Sequence, residues 1–573
     1  MKQNKRKKIF QSKWQHNSST IRILSLGGAG LVTKNMYVYE YRVHDLIKDI
    51  LIVDCGIGFP DPEMYGVDVV IPDSRYLHDK KHLIRGVVFS HGHDDHIGAI
   101  PYIYPQIGPV KMWGTKLTAA FANLKLHEAK IKQRVAAVSF KDTLKIGPFE
   151  LSFIRLTHSI PDTAHIVIKT PIGIFYHGSD YKFDLKPLDK KVSEISKINA
   201  VGKEKIRCVL TDCLGSERRG FTQSEKIIGE TLEREFAACK GKFFFTTTSS
   251  NISRIQLAID IARKHDRSVA FIGRSIDKNV EAASKLGYVR IPREFIVRDR
   301  DLKRLHPSKQ CIIVAGSQGQ PESAISRIAY DNHKYIHLEE NDTVVISSDP
   351  IPGNEYNVNA LIDQLYRKGA RVSYSDIMED LHVSGHGSQS DMMYLLSMLG
   401  PEYIIPIGGT YRHIVQYRRL AEEIGYQKKH VLIPGDGEVL EFASSGAPKI
   451  VDKISINNIM VDGLGVGDIS NVVLRDRKTL AKDGIVVIVI PIDQYSGKVV
   501  SDPDIISRGF VYMKKSEDLV NKAKMSVKAS LSLKKGKITN WQHVRMSIIR
   551  NLEKKLAKEI KRYPLIVPVI IEV

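Results

Sequence analysis

Six consecutive residues carry the densest ligand chemistry in this chain: His91, Gly92, His93, Asp94, Asp95 and His96. After thiolate, imidazole and carboxylate are the ligands zinc prefers. His91 and His93 are two apart, so on an extended backbone their side chains point the same way. Asp95 and His96 fall on the turn that follows and can point to a second position. One short segment can therefore hold two metal ions. A pair about 3.5–4 Å apart is a device for hydrolysing phosphate esters and amides. A solvated polar turn is the plain alternative, and the rest of the chain has to decide between them.

Three more fragments place ligand types just past strands. Asp54 closes the apolar run Ile50-Leu51-Ile52-Val53 and can orient a ligand histidine from behind. Asp54-Cys55-Gly56 also reads as a simple turn. His158 follows the strand near Phe153, although a lone histidine is more often structural. Asp180 follows Ile172-Gly173-Ile174-Phe175, and its two oxygens can bridge two ions. Each fragment is modest alone, but their order and shared placement are specific together.

The elements that must position these residues show as a change of rhythm. From about Ile21 to Leu214 short β-rich runs alternate with loops, with a helix near Thr115 to Leu126. The HxHxDH string itself follows the apolar run Gly86-Val87-Val88-Phe89. From about Gly215 to Ala370 strands alternate with helices: 242–246 before 252–264, and 268–272 before 278–286. That is the pattern of βαβ units around a parallel sheet. A His- and Gly-rich segment, His382 to Ser388, precedes a helix at 392–399 and a strand at 403–407. Loops near 443–447 and 462–468 predict a boundary. A smaller α+β segment follows, with a strand at 484–491, basic helices between Glu517 and Arg562, and a closing strand at 565–573.

At 573 residues, two to four domains are expected. The five cysteines are scattered without a CxxC pair, the usage of a reduced cytoplasmic protein. No apolar run reaches the roughly 18 residues of a membrane span, so no membrane partner is expected. The basic N-terminal stretch, with Lys2, Lys5, Arg6, Lys7 and Lys8, lacks an apolar core and reads as a solvated tail rather than a secretion signal. The net charge of +21, from 85 Lys and Arg against 64 Asp and Glu, favours a polyanionic partner, with nucleic acid ahead of membrane.

With these residues in order, the chain resembles the metallo-β-lactamase superfamily: Asp54, then His91-x-His93-x-Asp95-His96, then His158, then Asp180. It also resembles the β-CASP branch, in which a second domain interrupts the first; Asp212 matches its first motif and His386 its second. Closer still is bacterial ribonuclease J, through Met64-Tyr65-Gly66-Val67-Asp68, His158-Ser159-Ile160-Pro161-Asp162, Gly220-Phe221-Thr222, Ser250-Asn251-Ile252, Ile272-Gly273-Arg274-Ser275, Gly316-Ser317-Gln318-Gly319 and Pro352-Gly353-Asn354-Glu355. The matches run through nearly the whole chain.

The resemblance implies an αββα sandwich interrupted by a β-CASP α/β domain, with a small C-terminal α+β domain. The expected limits are 1–20 for the tail, 21–214 and 376–455 for the lactamase domain, 215–375 for the β-CASP domain and 456–573 for the linker and C-terminal domain. It implies up to two zinc ions, with manganese or magnesium left open. His91, His93 and His158 would hold one, Asp95 and His96 the other, and Asp180 would bridge them. The reaction would be hydrolysis of an RNA phosphodiester, 5′ to 3′ and also internal, in rRNA maturation and mRNA decay. His386, with Asp212 behind it, would protonate the leaving 3′ oxygen. Ser250, Asn251 and Ile252, and His382, Val383, Ser384, Gly385 and His386, would contact RNA bearing a 5′-monophosphate. The assembly would be a homodimer or tetramer, or a heteromer with a paralogue.

The match breaks in one chemical place. Where the family carries a histidine ligand to the second ion, this chain has Gly408, and Thr410 replaces a glutamate. His413 is no obvious rescue, because relatives carry it too. Smaller departures are Leu31, Thr33, Ser253 and Cys213-Leu214-Gly215. The resemblance therefore points to the divergent one of two paralogues. The competing expectation is an RNA-binding subunit with little catalysis, favoured by Gly408 and the C-terminal lysines Lys522, Lys524, Lys528, Lys534, Lys535 and Lys537.

Overall fold

The computed structural model describes residues 19–351, 353–463, 465–468, 471–496, 498–510, 517–532 and 541–573. Most of the N-terminal basic tail, and Lys534, Lys535 and Lys537, lie outside these. The chain divides into two compact units, residues 1–59 with 70–459, and residues 60–69 with 460–573.

Two sheets face each other in the first unit. One has eight strands in the order Lys449–Lys453, Glu438–Ala443, Ser19–Gly27, Met36–Val43, Leu46–Val53, Ile84–Phe89, Met112–Thr115 and Val135–Val138. The other has six: Tyr403–Ile407, Ile206–Asp212, Gly173–His177, Ala164–Thr170, Phe149–Arg155 and Thr143–Ile146. Alternate residues of both sheets meet between them: Ile21 and Ile23, Tyr37 and Tyr39, and Leu51 and Val53 from the first, and Leu151 and Phe153, Ile166 and Ile168, and Cys208 and Leu210 from the second. That period of two is what a pleated strand imposes. The opposite face of the six-stranded sheet is also apolar, with Val167, Tyr176 and Val209 under Ile198, Leu395 and Leu399 of the helices Ile195–Gly202 and Gln389–Leu399. Helices on both outer sides make the αββα sandwich.

After Asp212 the chain leaves this sandwich. It builds a sheet in which all neighbours are parallel, in the order Ser268–Ile272, Gln310–Val314, Phe243–Thr246, Thr343–Ile346 and Arg371–Tyr374. The helices Ile252–Lys264, Arg274–Lys285 and Glu355–Arg367 accompany it. The chain returns through His382 to Ser388, and Tyr403–Ile407 pairs parallel with Ile206–Asp212, setting Asp212 opposite Ile407. The insertion is thus closed by one strand pairing between residues almost two hundred positions apart.

A buried ion pair fixes the return. Arg254 donates to Glu225 through Nη2 at 2.7 and 2.8 Å, and to the Ser347 carbonyl at 2.7 Å. It also reaches His382 Nδ1 and the Val383 carbonyl, both at 3.2 Å.

The second unit carries its own core. Ile485–Ile492 lies between Asp504–Arg508, antiparallel, and Leu565–Glu572, parallel. Its strictly alternating burial packs Val486, Ile488 and Ile490 against Val527, Ile548 and Leu552 of the helices Glu517–Ser532 and Trp541–Ile560. A helix at Asn471–Asp483 precedes them, where no regular element is expected from the sequence. Of the C-terminal lysines, Lys522 pairs with Asp518 and Glu559, Lys524 with Asp504 and Lys528 with Asp502.

Three local expectations need correction. Residues 443–447 are the turn of the hairpin Glu438–Ala443/Lys449–Lys453, not a boundary, because both strands belong to the eight-stranded sheet. The helix expected at 278 begins at Arg274, directly after Gly273 at φ +117. The helix expected at 392 begins at Gln389, because Ser388 and Asp391 form a capping box.

Removing Arg254 leaves the buried Glu225 carboxylate with Lys182 at 3.5 Å in place of its close guanidinium bonds, and takes one donor from the Ser347 and Val383 carbonyls. Arg254→Met is expected to cost about 3–5 kcal/mol of unfolding free energy in denaturant titrations. A pH effect follows from two further buried histidines. Burial holds His165 down at about 3 and His177 at about 4, against an ordinary 6.5. The unfolded chain takes up these protons as pH falls through 6.5 while the folded chain does not. Their contribution is thus complete above pH 6.5 and declines towards pH 4. The denaturation midpoint of the chelator-treated protein should fall over that window, and less steeply in His165→Asn.

Candidate metal centre

Ile84–Phe89 ends, Ser90 to His93 form a bent segment outside any strand, and Asp94–Ile97 forms a single helical turn entered from an extended His93. That turn is held from behind by main chain. Cys55 N donates to the His96 carbonyl at 2.7 Å, Ile57 N to Asp94 at 3.0 Å, and Asn35 N to Asp95 at 3.1 Å. The approach leaves no room for a side chain at Gly56, where a Cβ would lie 1.5 Å from the Asp95 oxygen. The turn residue anticipated after Asp54 is therefore glycine because of the ligand turn it backs.

The ligand atoms of the first set converge. His93 Nδ1 is 3.1 Å from both His91 Nε2 and His158 Nε2, and Asp180 Oδ2 is 3.6 and 3.7 Å from those two nitrogens. Ligands about 2.0–2.1 Å from a tetrahedral zinc would be separated by roughly 3.3–3.4 Å, so four atoms at this spacing fit one ion. In the second set, His96 Nε2 is 3.5 Å from both Asp95 Oδ2 and Asp180 Oδ2. Asp180 belongs to both sets. The residues expected as ligands are thus brought together in two groups that share Asp180, with a donor chemistry of imidazole and carboxylate that suits a divalent metal.

Tautomers are set by the far ring nitrogens. His158 Nδ1 donates to the Gly385 carbonyl at 2.7 Å, which can only accept, and so Nε2 keeps its lone pair. A Cβ on Gly385 would sit 2.7 Å from the His158 ring, so glycine is required there. His96 Nδ1 donates to Asp54 Oδ2 at 2.8 Å.

A third group, Asp180, Asp212 and His386, adjoins these. His386 Nδ1 donates to Asp212 Oδ2 at 2.7 Å, and its Nε2 lies 4.0 Å from Asp180 Oδ2. Gly408 lies beside it at φ +67, and a Cβ there would point at Asp212 Oδ1 (3.4 Å) and Asp180 Oδ1 (3.7 Å). A side chain at 408 would therefore project towards the two carboxylates. No replacement joins the second set among the described residues. His413 is spent on capping the helix Tyr411–Glu423, its Nδ1 accepting from Thr410 N at 3.1 Å.

Charge at the site is unevenly distributed. Burial, with neighbouring imidazoles, pushes His91 and His158 well below the ordinary range, and burial lowers His93. Burial also opposes charge on His96, but Asp180, Asp95 and Asp54 outweigh it and hold that ring well above the ordinary range. The same contest at His386, won by Asp212 and Asp180, carries it to about 9. Burial would raise Asp180, yet His96 and His386 hold it well below.

Of the candidate RNA contacts, Asn251 caps the helix Ile252–Lys264, accepting from Arg254 N at 3.1 Å, and the Ile252 side chain is fully buried. Only their main chain can reach a ligand, whereas Ser250 and Ser384 are half-buried. Val383 is buried, and His382 packs between Arg254 and Asp349. Several residues here escaped the sequence reading. Asn35 donates to the Asp95 carbonyl and lies 3.3 Å from His96 Nε2. Ser159 Oγ is 3.3 Å from His93 Nε2. Arg254 carried a faint signal, since it falls on the helix stripe of Ala258, Ile261 and Ala262. Asn35 carried none.

Four family descriptions match in chain order. They are the metallo-beta-lactamase superfamily over residues 30–181, the ribonuclease J beta-CASP domain over 240–365, a Zn-dependent metallo-hydrolase RNA specificity domain over 374–434, and the ribonuclease J C-terminal domain over 472–573. Ribonuclease J2 of Bacillus subtilis (strain 168) is 37% identical over 97% of this chain and 99% of its own length. Ribonuclease J 1 of Streptococcus pyogenes is 35% identical over 96% and 97%. Ribonuclease J 2 of Staphylococcus saprophyticus is 32% identical over 97% and 99%. A solved protein of unknown function from Enterococcus faecalis V583 shares the fold, with a TM-score of 0.52 at 13% identity over 74% of this chain and 100% of its own. With such relatives along almost its full length, and a cluster of imidazole and carboxylate ligands assembled in its first unit, this chain belongs to the ribonuclease J family of metal-dependent ribonucleases.

Proposed function

We propose that this chain degrades RNA from a 5′-monophosphorylated end in the 5′-to-3′ direction, and also cuts internally, in the cytoplasmic maturation of rRNA and decay of mRNA. The observation that carries this reading is the convergence of two ligand sets on one shared carboxylate, Asp180. His91, His93, His158 and Asp180 would hold one zinc ion, and Asp95, His96 and Asp180 the other. Bound there, the pair supplies Lewis acidity to water and to the phosphate.

The chain's own residues do the rest. Asp212 holds His386 by Nδ1, which leaves Nε2 turned to the Asp180 side, where it can give its proton to the leaving 3′ oxygen. The hydroxyls of Ser250 and Ser384, and the main chain of Asn251, Ile252 and Gly385, suit a phosphate backbone. The domain limits that go with this reading are 21–214 and 376–455 for the catalytic domain, 215–375 for the β-CASP domain and 456–573 for the C-terminal part. The assembly is a homodimer or tetramer.

One observation favours a second reading. Gly408 leaves the Asp95/His96 position with three protein ligands, which supports a weakly active, RNA-binding member of a heteromer with a paralogue. An open zinc position with three protein ligands is still competent for catalysis, so the first reading leads.

On 5′-monophosphorylated RNA, His91→Ala is expected to abolish product formation, and His386→Ala to slow turnover by about 10²–10⁴-fold. A pure, zinc-loaded wild type that binds RNA without cutting it would favour the subunit reading. Metal analysis separates the two positions. Wild type should retain one tightly bound ion per chain after desalting and Gly408→His two, with faster cleavage. Two ions retained by wild type would remove the weight placed on Gly408.

A further inference from the structure

Asp54 is fully buried and is met by three donors. Ser90 N donates to Oδ1 at 2.8 Å, while the Ser90 hydroxyl at 2.7 Å and His96 Nδ1 at 2.8 Å both reach Oδ2. An ionised carboxylate only accepts. The single proton of the Ser90 hydroxyl is therefore committed to Asp54, and its oxygen is left to accept on the other side. There His91 Nδ1 stands 3.1 Å away. Ser90 and His91 are themselves fully buried, so water does not stand in for either.

We propose that Asp54 fixes the ring tautomer at both metal positions, at His96 directly and at His91 through the Ser90 hydroxyl. One buried carboxylate thereby positions ligands of two different ions. With both Nδ1 atoms donating, both Nε2 atoms keep lone pairs, and they face the same Asp180 oxygen at 3.5 and 3.6 Å. Strand pairing holds the relay in place. Val53 lies opposite Val88 in the parallel pair Leu46–Val53/Ile84–Phe89, and Asp54 N donates to the Val88 carbonyl at 2.9 Å. Asp54 and Ser90 thus leave neighbouring strands side by side, with Asp54 turned to φ +61. Ser179 Oγ, 3.2 Å from His91 Nδ1, is a second neighbour of that nitrogen, but among the described residues its hydroxyl makes no hydrogen bond to a carboxylate. Ser90 is on this view a positioning residue, not a catalytic one.

The inference rests on the ligand sets being metal sites, and its test reads metal binding rather than RNA cleavage. Zinc is titrated against a competing chelator in the full chain on two backgrounds. Asp95→Ala keeps the His91/His93/His158 position, and His158→Ala keeps the Asp95/His96 position. Adding Ser90→Ala should weaken zinc about 10-fold or more on the first background and leave the second within about threefold. Adding Asp54→Asn should weaken both by about 10–100-fold. Unchanged binding on the first background, equal losses on both, or a loss reproduced by Ser179→Ala but not by Ser90→Ala would each overturn the relay. Should neither background bind zinc, the metal-site reading fails instead, and the relay with it.

Discussion

Three buried carboxylates, Asp54, Asp180 and Asp212, and the half-buried Asp95 crowd into one pocket with five imidazoles. Like charges withdrawn from water cannot stay together unless cations accompany them. Asp180 shows the solution most plainly, since Nε2 atoms of His91, His96, His158 and His386 surround its Oδ2 at 3.5–4.0 Å. The acids favour positive charge around them: Asp180, Asp95 and Asp54 raise His96, and Asp212 and Asp180 raise His386. Divalent ions would serve the same balance from the centre of each ligand set. Much of the local architecture follows from keeping these charges at fixed separations: the main-chain clamp on the ligand turn, glycine at 56 and 385, and the carboxylates behind His96 and His386.

The insertion meets the same constraint from further away. Asp212 ends the strand before the β-CASP sheet begins, and His386 comes just after the chain returns, yet the two must lie within hydrogen-bond distance. Parallel pairing of Ile206–Asp212 with Tyr403–Ile407 and the Arg254–Glu225 lock on His382 and Val383 achieve this jointly. Neither could alone, since the pairing fixes Asp212 and Gly408 while the lock fixes the segment leading to His386.

The chemistry was more legible in the sequence than the supports. Ligand types at strand ends, in order, were enough to anticipate that His91 to His96, His158 and Asp180 would meet, because a short string and three strand ends leave few arrangements. Spacing separated His91 and His93 from Asp95 and His96, whereas the placing of His158 with the first pair came only from the resemblance. Ser90 and Asn35 were not legible, and Arg254 only faintly, from its place on an apolar helix stripe. Each acts through a partner 29 to 129 residues away, and a buried serine or asparagine looks like any other until that partner is beside it. The helix start at Arg274 was missed because its first turn is polar, and propensity says little where a tight glycine turn dictates the entry. The hairpin turn at 443–447 was misread because Gly and Ser mark turns inside a sheet as readily as boundaries between units.

Gly408 is where energetics decide what sequence comparison could only flag. The position has φ +67, so any other residue there bears about 1–2 kcal/mol of left-handed strain. A Cβ would meet nothing closer than 3.4 Å, and crowding is therefore no argument for glycine. A structural zinc site of four ligands contributes about 10–16 kcal/mol, roughly 2.5–4 per ligand. Relief of backbone strain is thus smaller than the value of a ligand, so on the proposed reading the exchange would lower metal affinity at that position. The loss falls on one side of the centre only. The position of His91, His93 and His158 has four ligand groups and keeps its far nitrogens tied to Gly385 and to Ser90, while the position of Asp95 and His96 is left open towards Asp212 and His386. On the proposed reading, the more weakly held ion would also be the one beside Asp212 and His386, and occupancy of that position would set how much of the centre is competent at a given metal concentration.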